Sequence, residues 1–382
     1  MLASQRALFD IPEHVCYLNA AAVGPLPRAA KEAGLRGVER KAQPWAIEAD
    51  NARRQSERAR AAAARLINAD ADDVAVISSV SYGVATAGKL LTIPRGNRVL
   101  LLQDDHSSPV LEWLGRADAQ GFVVEVVPRR DDGDWTTALL AAIDRPGAAP
   151  VALASISSVH WADGCVIDID RVAAALRPQG ARFVIDATQA AGVMSIDVRA
   201  LDPDFLVFPT YKWVLGPYAR AFLYVAKRWQ NGIPIEQAGA QRRGVGAERA
   251  PYMHDTAYVA SARRYDMGER DHYISLEMAS IGMEMVAGWG WEAIAARLRM
   301  LTNRLADGLH DTGVVVSAPR VRAPHILSLR FRGGLADDLL QRLAVEQVFV
   351  SVRLGLLRIS PHVYNDEADI DRFVDVFRRI AV

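Results

Sequence analysis

A lysine follows a short apolar segment in the stretch DFLVFPTYKWVLGP, residues 204–217. Lys212 stands between two aromatic residues and is followed by a Gly-Pro turn. Burying an ammonium group without a partner is costly, so lysine is normally a solvated surface residue. A lysine held neutral can instead act as a nucleophile that forms a Schiff base with a carbonyl compound. The structural alternative is that its stem is buried while its ammonium group reaches water.

Other polar groups follow other apolar segments, which is where ligands bind in an open α/β sheet. These groups are Ser81, His106, Asp186 with Thr188 and Gln189, and Thr210 with Tyr211. Each has a structural explanation when taken singly. Ser81 and Asp186 suit helix N-caps, and His106 suits a loop histidine with a structural hydrogen bond.

Taken together, these residues predict a phosphate-binding helix start, an imidazole, a carboxylate and a lysine on one rim of the sheet. Pyridoxal 5'-phosphate needs this set, because its aldehyde reacts with a lysine and its ring nitrogen needs a carboxylate to stay protonated. A dinucleotide site would need GxGxxG after the first strand. The nearest string, GVGAER at 244–249, ends in arginine and follows no predicted strand.

Seven short apolar segments predict the strands that position these residues, and several are separated by stretches with helical spacing. The segments are 73–79, 98–103, 122–127, 151–157, 182–186, 205–208 and 221–225. Continuous apolar strands that alternate with helices indicate a mostly parallel sheet covered on both faces. The predicted fold class is therefore α/β.

The remaining segments predict an early helix over 51–67, an excursion outside the core over 229–264, and two long helices broken near Gly288–Gly290. A shorter α+β pattern follows and predicts a second domain. We expect a large domain over 17–287 and a small domain formed by 1–16 and 288–382.

Charge and cysteine content exclude several classes of protein. The chain has 45 Lys+Arg and 45 Asp+Glu, so no net field attracts nucleic acid or an anionic membrane. Cys16 and Cys165 lack metal-ligand spacing, which predicts neither a metal site nor a disulfide framework. No apolar run reaches membrane-spanning length, and the first 15 residues carry charges where a signal peptide is apolar. We expect a cytoplasmic protein without membrane or nucleic-acid partners.

Several motifs resemble the aminotransferase class V family of fold-type I pyridoxal phosphate enzymes, which includes cysteine desulfurases, kynureninases and isopenicillin N epimerase-like proteins. They are YLNAAAVGPLP (17–27), VIDATQAAG (184–192), TYKWVLGP (210–217) and RISPHVYN (358–365). The resemblance covers nearly the whole chain. It implies a large domain with a seven-stranded, mostly parallel sheet and a smaller C-terminal α+β domain.

The resemblance also implies the roles of individual residues. Lys212 would form the internal aldimine and carry the Cα proton that is removed to give a quinonoid, with His106 stacked on the cofactor ring as the second predicted catalytic residue. The other implied cofactor contacts are Asp186 to the pyridinium nitrogen, Gln189 to the ring oxygen, and Ser81, Thr210 and Tyr211 to the phosphate. Arg358 would form a forked pair with the substrate α-carboxylate.

Further contacts follow from position in the family pattern. Trp161 lies where relatives place a residue beside the cofactor. The resemblance leaves open whether Trp161 itself contacts the cofactor. Asn19 either approaches the substrate or holds a structural turn. Relatives are homodimers that complete the phosphate site from the partner chain, and by position residues 268–275 would supply that contact.

The chain departs from the family pattern in three places. Cysteine desulfurases carry a reactive cysteine in an R-x-G-x-H-C context, but the corresponding region here, FVSVRLGLLRIS at 349–360, has no cysteine. The pair of threonines after the first strand is Val80-Ser81, and G-P-x-G-x-G is replaced by GPYARA, with Ala219 and Ala221. Persulfide chemistry of the desulfurase type is therefore not expected.

The expected function is that of a class V aminotransferase acting on a small α-amino acid. A C-S or C-C lyase and an amino-acid epimerase are the alternatives, because all share the first proton removal and motifs do not report the pocket orientation that separates them. A cofactor-binding module without catalysis is a further alternative of another class.

Overall fold

The computed structural model describes residues 2–243 and 256–381, so the string GVGAER at 244–249 lies outside the described residues. The helices are α1 (Arg28–Ala42), α2 (Asn51–Leu66), α3 (Val80–Leu90), α4 (Ser107–Gln120), α5 (Trp135–Ile143), α6 (Ile169–Leu176), α7 (Val198–Leu201), α8 (Ser275–Trp289), α9 (Trp291–Gly308), α10 (Leu339–Val345) and α11 (Glu367–Ala381). The strands are β1 (Cys16–Tyr17), β2 (Val74–Ile77), β3 (Arg98–Leu102), β4 (Val123–Val127), β5 (Val151–Ser157), β6 (Arg182–Asp186), β7 (Phe205–Pro209), β8 (Ala221–Val225), β9 (Val315–Val316), β10 (Leu327–Arg330), β11 (Val348–Phe349), β12 (Ser351–Arg353) and β13 (Leu356–Ile359).

The large sheet has seven strands in the order β2-β8-β7-β6-β5-β3-β4. Its pairs are parallel except those of β8, which runs antiparallel to both β2 and β7. The predicted fold class and all seven predicted strands are confirmed. Because β2 is antiparallel to β8 and β8 to β7, β2 and β7 run in the same direction, and the carboxyl ends of six strands lie at one edge.

Both faces of this sheet are buried except along the edge strand β4, which explains why most of its strands are continuous apolar segments. Along β7, Phe205 and Val207 belong to an apolar cluster with Val84 of α3 and Trp113 of α4. The alternate residues, including Phe208, belong to the larger cluster on the opposite face. Replacing an apolar residue on either face of β7 by a polar one would therefore disrupt one of these two apolar clusters.

A second sheet holds four antiparallel strands in the order β12-β13-β10-β9, and β1 pairs in parallel with β11. The predicted break between two long helices is confirmed at Gly290, which separates α8 from α9 with a φ of +80° that glycine adopts readily. The domain boundary at 287/288 stays a prediction. No helix in residues 2–243 and 256–381 is long and apolar enough to cross a membrane.

The expectation that 229–264 lies outside the core is wrong for some of its described residues. Gln241 is fully buried and its amide donates to the Asp266 carbonyl at 2.6 Å. Ala262 is also fully buried and packs in the cluster that contains Val84. The polar composition of this segment reflects buried hydrogen bonds as well as exposed surface.

Candidate active site

Lys212 follows β7 by three residues and is only 6% exposed. Its Nζ lies 5.5 Å from the centre of the Tyr211 ring, and among the described residues no hydrogen bond to Nζ is formed. Burial lowers the pKa of Lys212 to about 7, and repulsion from Arg358 acts in the same direction while Asp186 opposes it. Near neutral pH, a large fraction of this amine is therefore uncharged and available as a nucleophile or proton acceptor.

The loop that carries Lys212 is fixed by backbone contacts. Gly24 donates its N–H to the Tyr211 carbonyl at 2.8 Å. A Cβ at Gly24 would lie 2.2 Å from the Lys212 carbonyl oxygen, so only glycine allows this close approach. The Thr210 hydroxyl donates to the Pro217 carbonyl at 2.5 Å and lies 3.2 Å from the Arg220 carbonyl. The loop is thus clamped from the N-terminal segment and from its own Gly-Pro turn.

Asp186 ends β6 and is 3% exposed. One carboxylate oxygen accepts the Thr188 N–H at 2.8 Å, and the other forms no hydrogen bond within the described residues. Turns rather than a helix follow Asp186, so the helix N-cap explanation is wrong. The carboxylate is oriented through one oxygen and leaves the other available to a ligand.

His106 follows β3 and is the N-cap residue of α4, where its Nδ1 accepts the Ser108 N–H at 3.4 Å. Its ring meets the Trp161 ring edge-to-face, with centroids 5.7 Å apart. Burial lowers the pKa of His106, so the ring is neutral at pH 7. Asp105 accepts the His106 N–H at 2.7 Å and the Ser157 hydroxyl at 2.6 Å, which ties the start of α4 to the end of β5.

Gln189 is buried and is held at both ends of its side chain. Its Oε1 accepts the Trp213 indole N–H at 2.7 Å and its Nε2 donates to the Ala21 carbonyl at 3.2 Å. His325 Nε2 lies 2.6 Å from the Gln189 carbonyl. One amide hydrogen of Gln189 remains for a ligand, and the residue after Lys212 is fixed by the same network.

The starts of α3 and α4 lie side by side, because the Ser81 and Ser108 hydroxyls are 3.0 Å apart. Ser79, not Ser81, caps α3 through the Tyr82 N–H, so the cap explanation for Ser81 is wrong. Two adjacent helix N-termini form an anion-binding feature suited to a phosphate.

The hydroxyls of Thr210 and Tyr211, the two other predicted phosphate contacts, differ in whether their hydrogen is available to a ligand. The Thr210 hydroxyl hydrogen is already used by backbone carbonyls. Tyr211 stacks on Tyr218 with ring centroids 4.1 Å apart, and burial raises the pKa of Tyr211 to about 12, so its hydroxyl stays a donor. Ala219, where relatives have glycine, adopts a φ of +58°.

Arg358 is 1% exposed and has no carboxylate partner among the described residues. It donates to the Trp161 carbonyl at 2.5 Å and to the Ser351 hydroxyl at 3.3 Å, and its buried Nε has no partner in the part of the chain that the structure describes. Burial lowers its pKa to about 9, which leaves the guanidinium charged at neutral pH. A buried, unpaired guanidinium is costly, so the site is built to receive an anion.

Asn19 and Trp161 lie beside this group. Asn19 forms a β-bridge with Ser360, and its side-chain oxygen is buried without a partner. The Trp161 indole donates to the Asp104 carbonyl at 2.8 Å. Asn19 and Trp161 are therefore at the rim where Arg358 lies, and their contacts with ligand stay predictions.

Comparison with known proteins decides the family. The family model for aminotransferase class V matches residues 46–373. The chain belongs to the aminotransferase class V family. It is a pyridoxal phosphate-dependent enzyme, an aminotransferase or a lyase, and pyridoxal 5'-phosphate is its cofactor.

The similar proteins include an aminotransferase and a cysteine desulfurase. An uncharacterized aminotransferase, YcbU, of Bacillus subtilis is 26% identical over 322 residues, covering 84% of this chain and 82% of the relative. A probable cysteine desulfurase of Pyrococcus abyssi is 24% identical over 351 residues, covering 85% and 82%. Both support the family and neither identifies a substrate.

Solved structures confirm the fold. The apo cysteine desulfurase of Thermococcus onnurineus NA1 superposes with a TM-score of 0.84 at 20% identity, covering 98% of this chain and 96% of that one. The cystine C-S lyase C-DES, solved with its reaction product cysteine persulfide, gives a TM-score of 0.83 at 19% identity, covering 95% and 97%.

The residues at the rim fit this cofactor. Within residues 2–243 and 256–381, three buried polar atoms there have no partner, namely Arg358 Nε, Thr188 Oγ1 and Asn19 Oδ1, and one oxygen of Asp186 is free as well. An anion site at two helix starts lies on the same edge of the sheet as the unpaired Lys212. A ligand that carries a phosphate, an aldehyde and a protonated ring nitrogen would use the anion site, Lys212 and the free oxygen of Asp186.

The region that carries the cysteine in desulfurases is a closed hairpin in this chain. β12 and β13 pair up to Arg353 and Leu356, and the two residues between them, Leu354 and Gly355, have φ of +49° and +74°. Two successive positive φ values are typical of a type I' turn, which joins strands with the fewest residues. The hairpin therefore lacks the cysteine of the desulfurase pattern and is closed by a two-residue turn.

Sequence reasoning missed Asp105, Gly24 and Arg353. Asp105 precedes His106 in the string DDHSSP, and Gly24 lies in the N-terminal motif YLNAAAVGPLP. Both residues therefore stand next to predicted site residues or motifs in the sequence. Their contacts reach residues 52 and 188 positions away, namely Ser157 and Lys212, and no local pattern predicts them.

The reactivity of Lys212 is expected to depend on pH around its lowered pKa. Below about pH 7 the amine is mostly protonated, so its reactive fraction falls about tenfold per pH unit, and above about pH 7 the fraction levels off. We expect the rate at which cofactor-free protein incorporates pyridoxal phosphate, followed by visible absorbance, to show this midpoint. A midpoint near the ordinary lysine value of 10.5 would contradict the role of burial.

Proposed function

We propose that this enzyme removes the Cα proton of a small α-amino acid and acts as an aminotransferase, with Lys212 attached to the cofactor in the resting state. The observation that carries the proposal is the buried, unpaired amine of Lys212 on the same rim as the buried, unpaired guanidinium of Arg358. Bound cofactor supplies an aldehyde and an electron-withdrawing ring that stabilises negative charge at Cα.

The residues of the chain would divide the work as follows. Arg358 binds the α-carboxylate through a forked pair, using the Nε that lacks a partner. Asp186 holds the proton on the ring nitrogen with its free oxygen. His106, fixed by its contacts to Asp105 and Ser108 and with its pKa lowered by burial, would help hold the cofactor ring. Lys212, once released, accepts the Cα proton because its amine is largely neutral.

A lyase is the second candidate. It is favoured by the likeness to C-DES, a cystine C-S lyase of nearly equal length to this chain. A C-C lyase and an epimerase share the same first proton removal and differ in what leaves Cα or Cβ, or in where the proton returns. A binding module without catalysis does not need a lysine whose pKa is lowered toward neutrality.

The experiment that separates these functions records the absorbance spectrum of purified, cofactor-loaded protein while a panel of amino acids is added. Conversion to the amino form of the cofactor, with one keto acid per site, supports an aminotransferase. Continuous release of ammonia and keto acid with the original spectrum restored supports a lyase, and change of optical rotation alone supports an epimerase. No spectral change and no exchange of the Cα hydrogen with any amino acid would overturn the proposal.

Replacing both cysteines by alanine is expected to leave turnover within about twofold of the unaltered enzyme. Cys16 and Cys165 are fully buried and unpaired by disulfides, and burial raises the pKa of the Cys165 thiol to about 12 and that of Cys16 further. A thiol is reactive only as the thiolate. Steady-state turnover of the double variant with the best substrate checks this, and a loss above tenfold with intact folding would point to persulfide chemistry.

We also propose a homodimer in the cytoplasm, with residues 268–275 contacting the partner's phosphate site. Arg40 of α1 donates to the Tyr273 carbonyl at 3.2 Å, so α1 lies beside this segment. Leu35 and Val38 on α1 are 56% and 53% exposed, and such apolar residues beside the segment suit a covered interface. Light scattering of the active enzyme should give twice the chain mass, and a monomeric mass would contradict the dimer.

A further inference from the structure

The hairpin of β12 and β13 presents two arginines on one face. Ser351 pairs with Arg358 and Arg353 pairs with Leu356, so these four residues point to the same side of the sheet. On the neighbouring strand, Ser328 pairs with Arg358 and lies on that side as well. Arg353 therefore lies on the edge strand β12, diagonally across from Arg358 and nearer to the turn.

This face lies against the segment that borders the active site. The Ser328 hydroxyl donates to the Ala162 carbonyl at 2.8 Å, and Arg358 donates to the Trp161 carbonyl at 2.5 Å. The side of the hairpin that carries Arg353 therefore faces the ligand-binding rim.

Arg353 has no acidic partner among residues 2–243 and 256–381. Its one hydrogen bond goes to the neighbouring Val352 carbonyl at 2.7 Å. By contrast, Arg304 and Arg378 in the same C-terminal part of the chain pair with Asp371 and Asp311. An arginine with a fork of free donors next to a ligand site matches a planar anion such as a carboxylate.

The charge of Arg353 also acts on the site. Burial is the main cause of the lowered pKa values of Lys212 and Arg358, and the charge of Arg353 adds to the lowering of both. Arg353 and Arg358 repel each other, and one carboxylate on Arg358 would leave Arg353 unpaired. Two anionic groups on one ligand would satisfy both guanidinium groups.

We propose that Arg353 binds an acidic group on the substrate side chain, so that the preferred substrates are α-amino acids with a side-chain carboxylate. This inference rests on the proposed function, because it assumes that Arg358 binds the α-carboxylate of an amino acid. The tight turn at Leu354 and Gly355 fixes Arg353 at the end of β12.

The test titrates cofactor-loaded protein with L-aspartate, L-asparagine, L-glutamate and L-glutamine and follows the visible spectrum. At least one acid should bind about 10- to 100-fold more tightly than its amide, as expected for a charge-assisted forked pair. Arg353→Gln should remove that preference while changing affinity for the amide less than threefold. Arg353→Lys should keep part of it, since charge remains and the fork is lost.

Arg332→Gln is the matched control, because it removes one exposed arginine from the same part of the chain. It should leave the preference unchanged. Equal affinity for acid and amide in the unaltered enzyme would overturn the inference without any variant. An equal loss for acids and amides in Arg353→Gln would overturn it too, since Arg353 would then share the α-carboxylate. No spectral change with any amino acid, including alanine and cysteine, would instead overturn the proposed function.

Discussion

Replacing Lys212 by alanine is expected to lower kcat by roughly 10²- to 10⁴-fold, the contribution of a positioned general base. The same change removes the amine that the cofactor aldehyde would bind, so the visible absorbance band of the loaded protein should vanish or shift. The reason lies in the burial that holds Lys212 largely neutral without a hydrogen-bonded partner in the described structure. Turnover and spectrum, measured with the same amino acid, check both parts.

Lys227→Ala is the matched control, because the Lys227 side chain is 77% exposed and its ion pair is with the exposed Asp70. It should change neither spectrum nor turnover. Lys212→Arg keeps a cation but no neutral amine, and should be as inactive as alanine. Partial recovery of Lys212→Ala by added methylamine would separate lost chemistry from lost folding. Full turnover of Lys212→Ala with any amino acid would contradict the assigned role.

Replacing Arg358 by glutamine should lower kcat/KM for amino acids at least about 30-fold while the absorbance band of the bound cofactor stays. Loss of one partner of a buried charge pair costs roughly 2–5 kcal/mol. Arg358 is 1% exposed, and its Nε lacks a partner, so a substrate carboxylate has much to gain there. Steady-state kinetics and the spectrum of the same sample distinguish this variant from Lys212→Ala.

Arg358→Lys tests the geometry of the pair. A lysine retains the charge but cannot form two parallel hydrogen bonds, so we expect an intermediate loss. A thermal unfolding curve serves as the folding control, because Arg358 also donates to Trp161 and Ser351. If Arg358→Gln lost its cofactor band and kept its KM, the group would act on the cofactor and not on substrate.

The hairpin at 351–359 bears on the choice of reaction. In cysteine desulfurases this region supplies a sulfur acceptor, whereas here β12 and β13 are joined by two residues and present Arg353. The arginine of the R-x-G-x-H-C pattern is present here as Arg353 while the cysteine is absent, so this position offers a cation that can recognise charge on the substrate. Among the described residues, this position therefore holds no cysteine that could accept sulfur as in the desulfurases.

The sequence by itself determined the seven strands of the large sheet and the position of Lys212 directly after one of them. The seven apolar segments became β2 to β8, and β5, β6 and β8 begin and end where the pattern predicts. Such strands can be predicted because both faces are buried along all of them except β4, so most of their residues are apolar. The turn after β7 is legible for a similar reason, since Gly-Pro and the aromatic neighbours of Lys212 are local features.

Cap assignments were less well determined. Ser79 and not Ser81 caps α3, because the helix begins at Val80 and Ser81 already lies in its first turn. Asp186 precedes turns and not a helix, although its residue type suits a cap. Local preference sets which residues suit a cap, and tertiary packing sets where the helix begins.

Only the tertiary structure decided which groups are left without partners. Arg358 meets Trp161 across 197 residues of sequence, and Arg353 shares its face only because β12 and β13 pair in one register. The lowered pKa of Lys212 likewise comes from burial and from the charges of Arg358 and Arg353, which are distant in sequence. Burial, register and charge in three dimensions are properties of the packed chain, and residue order reports them only after folding brings these groups together.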